Sequence, residues 1–307
     1  MTTINQRTLQ HPVTCIGVGL HTGEDIRLRL MPAPAGTGIV FVRSDVDAAV
    51  AEIPARYDLV TETRLGTVLT NEHGTKISTV EHLMAGLWGC GVDNARIEVD
   101  GPEVPIMDGS SEPFVFLIEC AGTVAQNAPR MAIEVLRDVQ VQDGESTVLL
   151  QPAEGFTLDI SIVFDHTSIG SQHAVYDFAK TNFKQALCRA RTFGFAKDVE
   201  MLRSMGLARG GSLENAVVLD EDKIINEEGL RYDNEFVRHK ALDCVGDYFL
   251  AGAHLHALVR TNRPGHCINN AVLRELFSDE ANYRLVPMVK DEAPAAVKEL
   301  QQIAAYA

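Results

Sequence analysis

The chain lacks several things, and each absence excludes something. Its six cysteines, at positions 15, 90, 120, 188, 244 and 267, form no Cys-x-x-Cys pair. That argues against a thiol-based zinc knuckle and against a disulfide framework, and it suits a reducing compartment with free thiols. No apolar run approaches the roughly 20 residues a membrane-spanning helix needs. The first seven residues lead into no apolar segment of the secretory kind. Basic residues are in deficit, with 27 Lys and Arg against 42 Asp and Glu and a net charge of −15. A general nucleic-acid or membrane-surface binder is therefore not expected, although a local basic pocket is compatible with the count. A cytoplasmic location is expected. The His-Glu-x-x-His pattern of zinc peptidases is also missing.

What is present is enough apolar material for a large core. Hydrophobic residues make up 46% of 307 positions, and a chain of this length is expected to divide into two domains. The stretch from Glu235 to Asp247 is the most informative. On a helix, His239, Lys240, Asp243 and Asp247 fall within one arc of about 100°. The rest of the circumference is apolar, with Phe236, Val237, Leu242, Val245, Phe249 and Leu250. Such a helix should be buried, and buried His, Asp and Lys are costly unless paired or bound to a metal.

The order of elements repeats. Residues 12–43 alternate polar and apolar and read as strands; a helix is expected from Ser78, where Ser78 and Glu81 match a capping box. A strand at Ala95–Val99, a Gly- and Pro-rich loop and a helix around Glu112–Cys120 follow. The second half opens with strands over 132–141, 147–151 and 157–164. An irregular region to about Asp233, the polar-striped helix, a strand at Leu255–Arg260, a loop through His266 and a last helix from about Asn269 complete it. Strands, helix, strand, loop, helix thus occur twice, which predicts an α+β protein of two similar units. The boundary is expected within Gly122–Arg130, giving domains 1–126 and 127–307.

The candidate chemistry has two readings at each position. His239 and Asp243 are either a buried hydrogen-bonded pair or two metal ligands one turn apart. Glu81 either closes the capping box or acts as a base beside a metal held by His82. Two His and one Asp would leave a fourth position for water, as in catalytic zinc sites; the same donors suit iron(II). His266, preceded by glycine, is either a surface loop residue or a general acid held protonated by Asp247. His21, His73 and His166 sit in turn-like sequence, and His254-Leu255-His256 offers two imidazoles without an evident third ligand. Arg189 and Arg191 flank Ala190 either as a solvated charge pair or as an anion contact.

Assembled, these residues resemble the UDP-3-O-acyl-N-acetylglucosamine deacetylase family, zinc enzymes of bacterial lipid A synthesis. The motifs that carry the resemblance are Gly17-Val18-Gly19-Leu20-His21-Thr22-Gly23, the run Ile77–Leu83, Pro105-Ile106-Met107-Asp108-Gly109-Ser110, Arg189–Gly194, Phe236–Lys240 and Gly265-His266. The resemblance implies two domains, each a small sheet with two helices, packed helix layer to helix layer with the active site between. It implies His82, His239 and Asp243 as zinc ligands, Glu81 as general base and His266 as general acid. Thr192 would hold the oxyanion, with Lys240 and Asp247 beside the site. Phe193, Phe164, Arg263, Leu20, Gly211 and Ser212 would contact the nucleotide-sugar substrate and its acyl chain. An insert over about 195–223 would form an apolar passage for that chain.

The expected activity is hydrolysis of a linear amide, releasing acetate and a free amine whose acyl product passes to membrane-associated steps. The expected partners are the substrate, no nucleic acid, and a regulatory protease acting on the small, apolar tail at 301–307; the chain is expected to be a monomer. Two rivals follow from the same residues. One is a non-catalytic nucleotide-sugar-binding protein on the same fold; the other is a peptide-cleaving metalloenzyme, against which the missing His-Glu-x-x-His speaks.

Overall fold

The computed structural model describes residues 2–290. The expected protease-recognition tail lies outside the described residues. Six helices are described: α1 (Glu81–Gly89), α2 (Glu112–Ala121), α3 (Phe183–Ala186), α4 (Ala196–Ser204), α5 (Glu235–Phe249) and α6 (His266–Phe277).

One five-stranded sheet runs, in spatial order, Val13–Val18, Asp25–Pro32, Ala95–Val99, Ile39–Arg43, Glu52–Pro54. Its central strand is antiparallel to Asp25–Pro32 and parallel to Ile39–Arg43. A path through the second large sheet repeats this: Val139–Asp143, Ser146–Gln151, His254–Asn262, Phe156–Val163, Ser171–Asp177. Here too the central strand is antiparallel to one neighbour and parallel to the other. A parallel pair needs a crossover, because a tight turn can only reverse the chain. In the first half the crossover from Ile39–Arg43 to Ala95–Val99 contains α1, and in the second that from Phe156–Val163 to His254–Asn262 contains α5. The duplication therefore extends to strand order and direction. Met131–Val135 and Tyr283–Pro287 extend the second sheet.

Strand burial alternates as the pleat requires. Ile26, Leu28 and Leu30 point into the core from one strand, and Leu158, Ile160 and Ile162 from another. Against them lie Leu83, Met84 and Leu87 of α1 and Leu242 and Val245 of α5, all 0–1% exposed. Each such side chain contributes about 1.5–3 kcal/mol through burial. The two helices touch closely because Gly246 has no side chain: a β carbon there would sit 2.0 Å from the carbonyl oxygen of Glu81. That contact draws the polar stripe of α5 up to the start of α1.

Several sequence expectations change. Ser78 and Glu81 form no capping box; α1 begins at Glu81 after Val80, and the Ser78 hydroxyl donates to the Pro102 carbonyl. Glu81 is turned inward instead, where its Oε2 accepts the Thr67 N–H. The expected linker contains a strand, Thr123–Pro129, paired antiparallel with Asn5–Leu9. The expected strand over 132–141 is two, Met131–Val135 and Val139–Asp143. The region read as irregular contains Ser171–Asp177, α3, α4 and a small sheet of Phe193–Phe195, Val217–Asp220 and Lys223–Ile224. The last helix starts at His266, not near Asn269.

Candidate active site

The stripe on α5 is buried as its periodicity predicts: His239, Asp243 and Asp247 are each 1–3% exposed. Lys240 is half-buried at the edge, and its Nζ donates to Asp243 Oδ2 at 2.8 Å. From α1, His82 Nε2 approaches Asp243 Oδ1 to 3.5 Å, while His239 Nε2 lies 3.3 Å from the same oxygen. The three donor atoms sit within 4.8 Å of one another. The imidazole planes are nearly perpendicular, at 81°.

The protonation pattern is readable from the outer contacts. His239 Nδ1 faces the Ala190 carbonyl at 3.0 Å, so Nδ1 carries the proton and Nε2 presents a lone pair. Burial lowers the His239 pKa to about 3, more than Asp243 raises it, and keeps the ring neutral. Burial pushes Asp243 up, but His239 and Lys240 outweigh it and hold the carboxyl well below its usual range. Asp243 Oδ1 is buried without a hydrogen-bond partner. A bare carboxylate oxygen facing a nitrogen lone pair at 3.3 Å repels it unless a cation stands between them. The donor set thus fits a divalent metal of the zinc type, which favours two imidazoles and one carboxylate.

The remaining groups form a second cluster. His266 Nδ1 lies 2.8 Å from Asp247 Oδ2, and its Nε2 lies 3.7 Å from Glu81 Oε1. Burial lowers the His266 pKa, yet Asp247 and Glu81 raise it further, to about 9. This happens at the first residue of α6, where the helix dipole disfavours a cation. The two carboxylates decide the outcome. Burial raises the Glu81 pKa against the opposing pull of His266 and His82.

These groups border a cavity of about 370 Å³, whose lining includes Glu81, His82, His239, Lys240, Asp243 and His266. Thr192 and Phe193 also line it. Thr192 is held by main-chain bonds, its N–H to Gly109 and its carbonyl to Val217 N, both 2.8 Å. Phe193 packs edge-on against Phe236 at 5.0 Å, with Lys240 Nζ 5.7 Å from its centroid. The cavity is also lined by apolar side chains, Leu20 from the first half and Val199, Leu202, Leu213, Ala216 and Val218 from the region around α4, which adds Arg203. Gly211 and Ser212 line it too. Phe164 is not on the wall but backs Phe193 edge-on at 5.4 Å. Arg263 is also off the wall, at a turn with φ +50, paired with Glu145 at 3.2 Å.

Some residues depart from their sequence reading. His21, read as a turn residue apart from the site, lines the cavity and bridges its rim, with Nε2 3.3 Å from the Leu65 carbonyl and Nδ1 3.4 Å from Ala208 N. Arg191 is neither solvated nor at the cavity; it is 2% exposed and bonded to Glu235 and Glu228. The intact charge pair at the base of α5 explains how Glu235 is tolerated at 0% exposure. Other residues gave no sequence signal for the roles they take. Thr67 donates its N–H to Glu81 Oε2 at 3.0 Å and its hydroxyl to Asp247 Oδ1 at 2.7 Å. Asn269 donates to Asp247 Oδ2 at 2.9 Å. The Ser111 hydroxyl bonds the His82 carbonyl. Glu103, 0% exposed, accepts from the amides of His21 and Thr22 and from Thr79, which itself has φ +58. A one-turn Asn spacing from His266 could have flagged Asn269; Thr67 carries no local signal.

The family model described as "UDP-3-O-acyl N-acetylglycosamine deacetylase" matches residues 6–278. The chain belongs to the LpxC family. Among relatives so named, the Shewanella oneidensis protein is 48% identical over 296 residues, covering 95% of this chain and 96% of that one. The Shewanella sediminis protein is 48% identical over 295 residues, with the same coverage. The Idiomarina loihiensis protein is 47% identical over 296 residues, covering 96% of each. LpxC membership agrees with the α+β architecture and with the metal-type donor set assembled between α1 and α5. Among the described residues no helix is long and apolar enough to cross a membrane.

Proposed function

We propose that the chain hydrolyses the N-acetyl group of UDP-3-O-acyl-N-acetylglucosamine, releasing acetate and the free amine in lipid A biosynthesis. The observation that carries this reading is one cavity lined both by a polar cluster and by aliphatic side chains. His82, His239 and Asp243 line it together with Glu81 and His266, and so do Leu20, Val199, Leu202, Leu213 and Val218. The missing His-Glu-x-x-His speaks against the peptidase.

His82, His239 and Asp243 would hold Zn²⁺, which when bound supplies Lewis-acid polarisation and a more acidic water. Glu81, its Oε2 held by the Thr67 amide, takes the proton from the attacking water. Thr192, on the same cavity wall, stabilises the oxyanion by hydrogen bonding. His266, kept cationic by Asp247 and Glu81, gives its proton to the leaving nitrogen, because an unprotonated amine is a poor leaving group. Lys240 and Phe193 bracket the sugar, Lys240 offering charge to the diphosphate. Phe164 and Arg263 serve the outer, nucleotide end. Leu20, Gly211 and Ser212 border the acyl passage.

The units divide near residues 126 and 127 in this reading, with the insert at about 195–223 contributed by the second. The two-domain repeat of strand directions supports that division. The chain is further taken as a cytoplasmic monomer whose level a protease adjusts through its tail. The alternative of a non-catalytic nucleotide-sugar binder is disfavoured by the complete acid, base and ligand set. Acetate release from UDP-3-O-acyl-N-acetylglucosamine, measured alongside metal content by elemental analysis, tests the proposal. A zinc-loaded chain that binds this nucleotide sugar without releasing acetate would refute it.

A further inference from the structure

We infer that Thr67 is a positioning residue that couples the general base to the general acid, a role that rests on the deacetylase reading. Thr67 is 2% exposed and belongs to the first half, in the loop before the strand Val68–Thr70. Its two hydrogen-bond donors diverge. The amide N–H goes to Glu81 Oε2 at 3.0 Å, and the hydroxyl crosses to Asp247 Oδ1 at 2.7 Å on α5 of the second half. Each carboxylate is thereby held by one oxygen and left with the other for work. Glu81 turns Oε1 towards His266 Nε2, and Asp247 gives Oδ2 to His266 Nδ1 and to Asn269.

The backbone is shaped for this fork. Gly66, with φ +150, precedes Thr67, and a β carbon on it would come within 3.1 Å of Glu81 Oε1. Glycine takes this φ without strain and lets the chain pass close to the base with the next amide aimed at it. Threonine also suits the position better than serine, because its second Cβ branch stiffens χ1 and keeps the hydroxyl aimed. The hydroxyl has a buried carboxylate as its acceptor, so it cannot turn away without leaving Asp247 Oδ1 unsatisfied. The titratable groups facing His266 are Asp247 and Asp243 from α5 and Glu81 from α1. Thr67 bonds two of the three.

The test compares the zinc-loaded full chain with Thr67→Val and Thr67→Ser. Valine keeps the shape and the amide but removes the hydroxyl. The expected result for Thr67→Val is a kcat lower by about tenfold, the size of one lost hydrogen bond to a charged group, with KM and zinc content unchanged. The His266 imidazole, followed by ¹⁵N-edited NMR, should titrate roughly half a unit higher, because Asp247 relieved of a donor holds the His266 proton more tightly. Thr67→Ser should recover most of both effects. Thr67→Ala, which removes the hydroxyl without placing a methyl against Asp247, carries the test if the valine variant does not fold. Unshifted His266 titration together with unchanged kcat would overturn the inference, as would a serine variant as impaired as valine. The NMR readout needs no turnover. A wild-type chain silent towards the substrate counts against the proposed function, and an unmoved His266 signal counts against Thr67.

Discussion

His266 and Asp247 are joined at 2.8 Å through Nδ1 and Oδ2, and that bond leaves His266 Nε2 facing Glu81 Oε1 at 3.7 Å. The pair lies across two helices, α6 and α5, and the residue it faces belongs to a third, α1. One imidazole thus stands between two carboxylates, hydrogen-bonded to Asp247 and facing Glu81. The arrangement has consequences for pH, metal content and packing.

The first is an alkaline limit. In its proposed role as general acid His266 works only while protonated, and its pKa is raised to about 9. kcat/KM should hold through neutral pH and fall as pH rises through about 9. Asp247→Asn removes the charge that does most to hold the proton, so its alkaline limb should move towards the ordinary histidine value of about 6.5. pH–rate profiles of both enzymes check this; an alkaline limb left in place by Asp247→Asn would contradict the assignment.

Glu81 should separate from the metal site. Glu81→Gln keeps the accepted Thr67 N–H bond but cannot take a proton. Turnover should fall by about 10²–10⁴, the usual contribution of a general base. Zinc content, measured by elemental analysis, should match wild type, since the proposed metal donors are His82, His239 and Asp243.

The donor set itself predicts a different pattern. His239→Ala should lose both metal and activity, and a chelator should do the same to wild type, reversibly on adding zinc. Asp243→Asn should weaken metal binding and leave Lys240 without its ion-pair partner. A metal titration followed calorimetrically distinguishes these from Glu81→Gln, and full zinc occupancy in His239→Ala would rule out its role as a ligand.

Packing should matter at one glycine. A β carbon on Gly246 would fall 2.0 Å from the Glu81 carbonyl, and that neighbour is backbone, which cannot swing aside. Gly246→Ala should therefore push α1 from α5 and destabilise the fold by about 1–3 kcal/mol, the usual range for overpacking. Thermal unfolding measures this. Because α1 carries both Glu81 and His82, metal affinity should drop in the same variant.

The apolar wall should set chain-length preference. Ala216→Phe fills the passage beside Val218 and Leu202. KM for long-acyl substrates should rise, with kcat for short-acyl substrates little changed. A uniform loss across chain lengths would mean the acyl chain runs elsewhere.

Much of this is legible from local periodicity. The burial of α5 follows from its apolar circumference, and residue spacing alone puts His239, Lys240, Asp243 and Asp247 on one arc. The strand at Ala95–Val99 matches its period-two pattern, and the repeated order of elements corresponds to the repeated sheet path. Boundaries are weaker. Gly122–Arg130 is small and polar, yet it pairs with Asn5–Leu9, because a strand partner far away in sequence leaves no trace in local composition. Ser78 and Glu81 match a capping box, but Glu81 finds a better partner in Thr67 N–H and turns inward.

By itself the sequence determined which helix would be polar where it should be greasy, since that depends only on 3.6-residue spacing and on the cost of burying charge. Its residues alone left His82 open between an ordinary helix residue and a metal ligand. The tertiary structure brought His82 to Asp243, by setting α1 against α5 at Gly246. It also placed Thr67 between Glu81 and Asp247, and His21 on the cavity rim. Those choices depend on backbone amides and on contacts between distant segments, such as the 180 residues separating Thr67 from Asp247, which no local pattern encodes.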